Sequence, residues 1–280
     1  MYIGVLSGTS ADSIDALLVD FSKSIKVIDR FSEKIPKKVK DNIFELVLNK
    51  KLPNYTEKQK ELDCKLGKLI GKCVNQLIKK SQVDKQMVKG IGSHGQTIIH
   101  SSSRKKPFSL QIGNPELIKK LTGIKVVHGF RQSDIANGGM GAPLTPAFHK
   151  EYMSKANINR AIINIGGITN VTLLPAKGKI IGWDIGPGNC FIDQAVRKLT
   201  NGKKQFDNKG ALARKGNPKV LENTIKKFLN TSYFKKPIPK SQSVENYALK
   251  KFRCDRSEIK KLKDVDLISG LTEITFQSIL

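Results

Sequence analysis

Apolar and polar positions open the chain as a predicted hairpin. Residues 2–6 form a short apolar run, 7–13 a polar turn and 16–21 a second apolar run. A third strand is predicted around residues 25–28. Leu62, Leu66, Leu69, Ile70, Cys73, Leu77 and Ile78 recur at helical spacing, which predicts an amphipathic helix over 56–80. Residues 90–93, 109–112 and 125–127 read as strands. Between the last two, Pro115 marks the first turn of a short helix ending at Thr122.

After Asn137-Gly138-Gly139-Met140-Gly141-Ala142-Pro143 the pattern starts again. An apolar run at 161–165, a turn Gly166-Gly167-Ile168-Thr169-Asn170 and a run at 171–174 repeat the opening motif. A third strand follows at 180–184, and Gly186-Pro187-Gly188-Asn189 leads into a helix ending near residue 200. Strand, glycine-bearing turn and strand thus occur near the start of each half, which predicts a duplicated α/β domain. At roughly 150 residues per domain, the length suits two cores with a cleft between them. The division is placed at 1–134 and 135–280. Residues 219–229, 244–252 and 264–280 are helix-compatible; the last ends with its apolar face incomplete and reads as cut off in mid-element.

Composition narrows the function classes. Lys and Arg total 50 against 24 Asp and Glu, a formal charge of +26 that suggests a polyanion partner. Only eight of the 50 are Arg, the side chain suited to bidentate phosphate readout. The lysines fall in scattered pairs (Lys37-Lys38, Lys79-Lys80, Lys119-Lys120, Lys226-Lys227, Lys260-Lys261) without interleaved aromatics. A solvated lysine surface is therefore expected, without specific nucleic-acid recognition. No apolar run approaches a membrane span, no basic segment precedes the first apolar stretch, and a cytoplasmic protein is expected. Cys64, Cys73, Cys190 and Cys254 are too scattered for a disulfide framework, and with His94, His100, His128 and His149 they form no zinc set. Walker A, dinucleotide-fold and hydrolase-elbow motifs are absent.

Four places carry candidate chemistry. The turn Gly8-Thr9-Ser10-Ala11-Asp12-Ser13-Ile14-Asp15 has the parts of a nucleotide-phosphate site: a glycine for close approach, hydroxyl donors, and Asp12 or Asp15 for Mg²⁺. An ordinary polar turn held by side-chain hydrogen bonds reads equally well. Gly166, Gly167 and Asn170 offer a second cradle, and two such bends facing across a cleft would hold a triphosphate. Asp184, closing a strand before a Gly/Pro loop, suits a general base or a turn aspartate. Arg131 could grip a ligand carboxylate or bridge the domains with Asp134 nearby, and His94 could line the cleft or shape its loop.

These stretches together resemble one family. Gly4-Val5-Leu6-Ser7-Gly8-Thr9-Ser10-Ala11-Asp12, Gly92-Ser93-His94-Gly95-Gln96-Thr97, Leu110-Gln111-Ile112-Gly113-Asn114 and Phe130-Arg131-Gln132-Ser133-Asp134-Ile135-Ala136 are similar to motifs of the anhydro-N-acetylmuramic acid kinases. So are Gly141-Ala142-Pro143-Leu144-Thr145-Pro146-Ala147-Phe148-His149, Asn164-Ile165-Gly166-Gly167-Ile168-Thr169-Asn170, Asp184-Ile185-Gly186-Pro187-Gly188-Asn189 and Pro239-Lys240-Ser241, in the family's order. The resemblance implies a two-domain, ribonuclease-H-like fold of the sugar-kinase/actin/heat-shock-chaperone superfamily, with mixed sheets flanked by helices. It implies ATP- and Mg²⁺-dependent conversion of 1,6-anhydro-N-acetylmuramic acid to N-acetylmuramic acid 6-phosphate in cell-wall recycling. Residues 8–15 match the family's ATP-binding turn, and Asp184 its proposed base, activating water against the anomeric carbon. The sugar side is expected at His94, Gln96, Arg131, Asp134, Gly186 and Asn189, with Arg131 on the lactyl carboxylate.

The chain departs from the family at Ser13, Gly129 and residues 242–245. Family members also run on past the position of Leu280, with a Gly-rich loop near the adenine and terminal helices on the first domain. A relic that binds without catalysing, a fragment with a separate complement, and a compact form that dimerises through the last helix are the alternatives this raises.

Overall fold

The computed structural model describes residues 1–8, 10–49, 51–101, 106–242, 244–260 and 262–280, with Val244 and Glu245 as backbone only. Thr9, Arg104, Lys261 and Ser243 lie outside the described residues. The chain divides into two compact units, Met1–Ala142 and Pro143–Leu280.

In the first unit, β1 (Tyr2–Ser7), β2 (Ser13–Asp20) and β3 (Lys26–Lys34) form an antiparallel meander. Helices α1 (Lys37–Leu48) and α2 (Tyr55–Ser81) follow, then β4 (Ile91–Ser101), β5 (Phe108–Ile112), α3 (Pro115–Thr122), β6 (Val126–Val127) and α4 (Phe130–Ala136). The sheet is mixed: β4 joins β1 in parallel and β5 pairs outside it, giving the order β3-β2-β1-β4-β5 with β6 on β4. Strict alternation in β1 sends Ile3, Val5 and Ser7 inward. There the helix stripe Leu62, Leu66, Ile70, Cys73, Val74 and Leu77 meets them, all at 1% exposure or less. Each such aliphatic side chain contributes about 1.5–3 kcal/mol on burial. Helix α4 belongs to this unit because it packs on β5, where Gln132 Nε2 donates to Ser109 O and Gln111 Oε1, both at 3.0 Å.

β4 runs well beyond the expected residues 90–93. The strand absorbs a bulge at Gly95, where the register against β1 shifts. Gly95 has φ +71°, and a Cβ there would lie 2.5 Å from Ile112 O, so only glycine fits. His94 and Gln96 are therefore strand residues flanking a bulge, not loop residues after a strand.

In the second unit, α5 (Thr145–Met153) precedes an antiparallel sheet, β7 (Arg160–Ile165), β8 (Ile168–Leu174) and β9 (Ile181–Pro187), in the order β7-β8-β9. Helices α6 (Cys190–Leu199), α7 (Glu222–Leu229), α8 (Arg256–Ile259) and α9 (Asp264–Ile279) follow. Their shared core is Phe191, Ile192, Val196, Leu221, Ile225, Ile268, Leu271 and Ile274. The buried Glu258 carboxylate accepts from the Asn223 and Thr224 amides (2.7 and 3.1 Å), satisfying donors that the first turn of α7 leaves open.

Three expectations are corrected here. The turn at 166–170 is only Gly166-Gly167, because β8 starts at Ile168 and takes Asn170 into the ladder. The third strand continues to Pro187, so Asp184 sits inside β9 instead of closing it. Residues 244–252 form two 3₁₀ turns, Val244–Tyr247 and Leu249–Lys251, in place of a helix. The Gln194 amide explains the last: it donates to Tyr247 O (3.0 Å) and accepts from Leu249 N (2.9 Å), replacing bonds a continuous helix would make with itself.

Candidate functional site

In the first unit the β1–β2 turn is built from both sides. The Ala11 amide donates to Gly8 O and the Ile35 amide to Asp12 O, each at 3.0 Å. Ala11 and Ile14 are fully buried, so their side chains shape the turn from beneath, while Gly8, Ser10 and Asp12 are exposed. The Ser7 hydroxyl donates to Gln96 Oε1 at 2.7 Å. Gln96 is itself buried and donates to Thr97 O (3.2 Å), so its side chain supports the turn. Asp15 accepts from the hydroxyls of Ser13 (3.1 Å) and Ser32. Asp12 pairs with Lys40 on α1. For a nucleotide-borne Mg²⁺, a cation that is usually held by one or two carboxylates plus phosphate and water, the exposed carboxylates of Asp12 and Asp15 are the matching donors at this turn.

Beside the Gly95 bulge, His94 Nδ1 donates to Gly95 O (3.1 Å) and Nε2 accepts from Arg131 Nε (2.9 Å). Burial, with the adjacent guanidinium adding to it, lowers the His94 pKa, which keeps this acceptor tautomer neutral. Arg131, read from sequence as a possible bridge between domains, bonds inside its own unit, and its Nη groups have no hydrogen bond among the described residues. Asp134 Oδ2 accepts from the Gly141 amide at 2.7 Å and so folds the glycine-rich loop back onto α4.

The second unit assembles residues far apart in sequence. In the β8–β9 ladder Asn170 stands opposite Asp184, next to a register shift. The Gly166 and Gly167 carbonyls accept from the amides of Asn189 (2.7 Å), Gly188 (3.0 Å) and Cys190 (3.2 Å). Asn189 Nδ2 donates to Ile165 O (3.1 Å), and Thr275 Oγ1 on α9 donates to Gly188 O (2.8 Å). The 186–189 loop is thus pinned between a hairpin bend and a helix. The Asp184 carboxylate accepts from Ser241 Oγ and the Gln242 amide, both at 2.9 Å on Oδ2, while its own carbonyl accepts from the Tyr233 hydroxyl at 2.7 Å. Ser7, Lys40, Tyr233 and Ser241 went unassigned in the sequence. Ser7 and Ser241 carried a signal, as members of the Gly4–Asp12 and Pro239-Lys240-Ser241 motifs; Lys40 and Tyr233 carried none.

Gly166, Gly167, Asn170, Asp184, Gly186 and Asn189 therefore form one constellation, and Gly8, residues 10–15, His94, Gln96, Arg131 and Asp134 lie in the other unit. The family model for anhydro-N-acetylmuramic acid kinase matches residues 1–280. This chain belongs to that family. Relatives named anhydro-N-acetylmuramic acid kinase from Shewanella sediminis (strain HAW-EB3) and Coxiella burnetii (strain Dugway 5J108-111) are each 40% identical over 99% of this chain, covering 74% and 73% of their own lengths. A third, from Shewanella loihica (strain ATCC BAA-1088 / PV-4), is 39% identical over 99% of this chain and 74% of its own. Among solved structures, a "Reductive activator for corrinoid,iron-sulfur protein" aligns at TM-score 0.39 and 16% identity, over 66% of this chain and 31% of that one, a likeness too slight to carry an argument. With family membership, the mixed α/β fold and the kinase class are those of a family of sugar kinases. Among the described residues no helix is long and apolar enough to cross a membrane.

Proposed function

We propose that this chain is an ATP-dependent kinase that opens 1,6-anhydro-N-acetylmuramic acid and phosphorylates its O6. The observation that carries this reading is the Asp184 carboxylate, held by Ser241 and Gln242 next to the pinned 186–189 loop, in a chain of that family. Asp184 takes a proton from water as the water oxygen bonds to the anomeric carbon, and the bond from that carbon to O6 breaks. O6 then bonds to the γ-phosphorus as the bond from phosphorus to ADP breaks, giving N-acetylmuramic acid 6-phosphate and ADP. Gly8, Ser10 and neighbouring backbone amides bind the nucleotide phosphates; a Mg²⁺ carried on those phosphates would add charge neutralisation, and Asp12 is the residue that would help hold it. Gly166, Gly167 and Asn170 are assigned to the nucleotide as well. The Nη edge of Arg131, without a hydrogen bond among the described residues, suits the planar lactyl carboxylate, with His94 and Asp134 orienting the arginine and its loop. Gly186 and Asn189 line the sugar beside Asp184.

The test is sugar-dependent ADP release from 1,6-anhydro-N-acetylmuramic acid and ATP. Wild type should turn over, and Asp184→Asn should lose about 10²–10⁴-fold in kcat while remaining folded. Folded wild-type protein that binds ATP but releases no ADP would show a nucleotide-binding relative without this activity.

A further inference from the structure

The Pro239-Lys240-Ser241 motif takes no chemical step in the reaction just described, yet the structure places it against the proposed base. The Asp184 amide donates to Lys240 O at 2.9 Å, and the next two residues donate to Oδ2. The segment is held from behind as well. Lys240 Nζ donates to the carbonyls of Tyr233 and Phe234, both at 3.2 Å, and stands 4.8 Å from the centroid of the Tyr233 ring. Tyr233 closes the circuit through its hydroxyl on Asp184 O. Backbone and side chain of Asp184 are thus gripped by one stretch of chain, residues 233–242.

Two neutral donors on a carboxylate oxygen stabilise its ionised form and restrict its rotation. Tyr233 and Tyr247 stay neutral, since burial and nearby charge, Asp184's included, push both phenols far up. The Lys240 ammonium is drawn onto the two carbonyls, and β8 sets the uncharged Asn170 opposite. We propose that Ser241 is a positioning residue: with the Gln242 amide it keeps the Asp184 carboxylate ionised and in one orientation, on a segment anchored by Tyr233 and Lys240. Its catalytic consequence rests on Asp184 being the base; the clamp itself does not.

The decisive measurement is a ¹³C NMR titration of the Asp184 carboxyl in the full chain, its signal assigned by its loss in Asp184→Asn. Ser241→Ala should move the midpoint up by roughly one pH unit, the size expected for one lost charge-assisted bond, and Ser241→Thr should restore it. A general packing defect would lower the melting temperature without this reversible shift. If Ser241→Ala does not fold, Ser241→Cys keeps the volume, gives up most of the bond and is read the same way. A folded variant titrating like wild type overturns the clamp. In the ADP-release assay the acid limb of kcat should move up with the titration while KM stays nearly constant. An active Asp184→Asn would remove the base and leave the titration result standing, so the two failures are distinguishable.

Discussion

A half-buried guanidinium that, among the described residues, uses only Nε on a neutral imidazole is electrostatically incomplete, because burial already lowers the Arg131 pKa and no described anionic group answers its charge. A bound carboxylate would complete it in bidentate geometry. Arg131→Ala is therefore expected to raise KM for the anhydro sugar about 10-fold or more with a smaller change in kcat, and Arg131→Lys should recover only part. Steady-state kinetics over the sugar concentration decides it; an unchanged KM removes the assignment. His94 adds a pH dependence. Its folded pKa lies below the ordinary 6.5, so the folded state binds fewer protons than the unfolded one. The contribution is complete above about pH 6.5 and is lost as pH falls from there through the lower folded value. Melting temperature should drop on acidification more in wild type than in His94→Gln, and parallel pH profiles would refute this. Both residues were legible as candidates in the sequence, but their pairing was not: nothing in a separation of 37 residues says that an imidazole accepts from that particular arginine.

Elements were legible where hydrophobic period and boundary chemistry agreed. Buried and exposed positions alternate through β1 and over Ile14–Leu18 of β2, α2 repeats its apolar stripe over about four turns from Leu62 to Leu77, and α3 has Pro115 in its first turn with Asn114 capping Leu117 N at 3.0 Å. Helix α1 went unread because neither end announces it: Pro36 makes no side-chain cap, and the first turn lacks an acidic residue. Helices α4 and α5 bury no residue fully, so no stripe marks them. Strand β9 was read too short because Gly186-Pro187 resembles a loop, although Pro187 completes the ladder opposite Ile168. Just beyond it, Gly188 faces the Gly166 carbonyl so closely that a Cβ would overlap the oxygen. Gly188→Ala should therefore destabilise the second unit by about 1–3 kcal/mol, read as a lower denaturant midpoint, and should depress turnover by disturbing the loop beside Asp184. A variant with wild-type midpoint and turnover would mean that this close approach is not needed.

For the whole molecule the governing quantity is the charge of +26. Among the described residues the ion pairs all use lysine, as in Lys37–Asp41, Lys65–Glu61 and Lys226–Glu222, and most are exposed. Exposed pairs add little stability, so the lysine excess acts mainly as a positive field. ATP and the anhydro sugar are both anions, and such a field raises their local concentration without any specific contact. Screening reaches roughly 10 Å at 0.1 M salt but only about 3 Å at 1 M, so added salt removes the distant lysines first and the proposed contacts at Arg131 and the β1–β2 turn last. KM for ATP should accordingly rise with ionic strength while kcat holds nearly constant. Duplex DNA gives the contrasting arm. If its attraction is only this field, its affinity falls linearly on logarithmic salt axes, shows no sequence preference and is negligible at physiological salt. Tight, sequence-dependent binding surviving at that salt would instead require a built nucleic-acid surface, and would overturn the reading of the lysines as a diffuse field serving small anionic substrates.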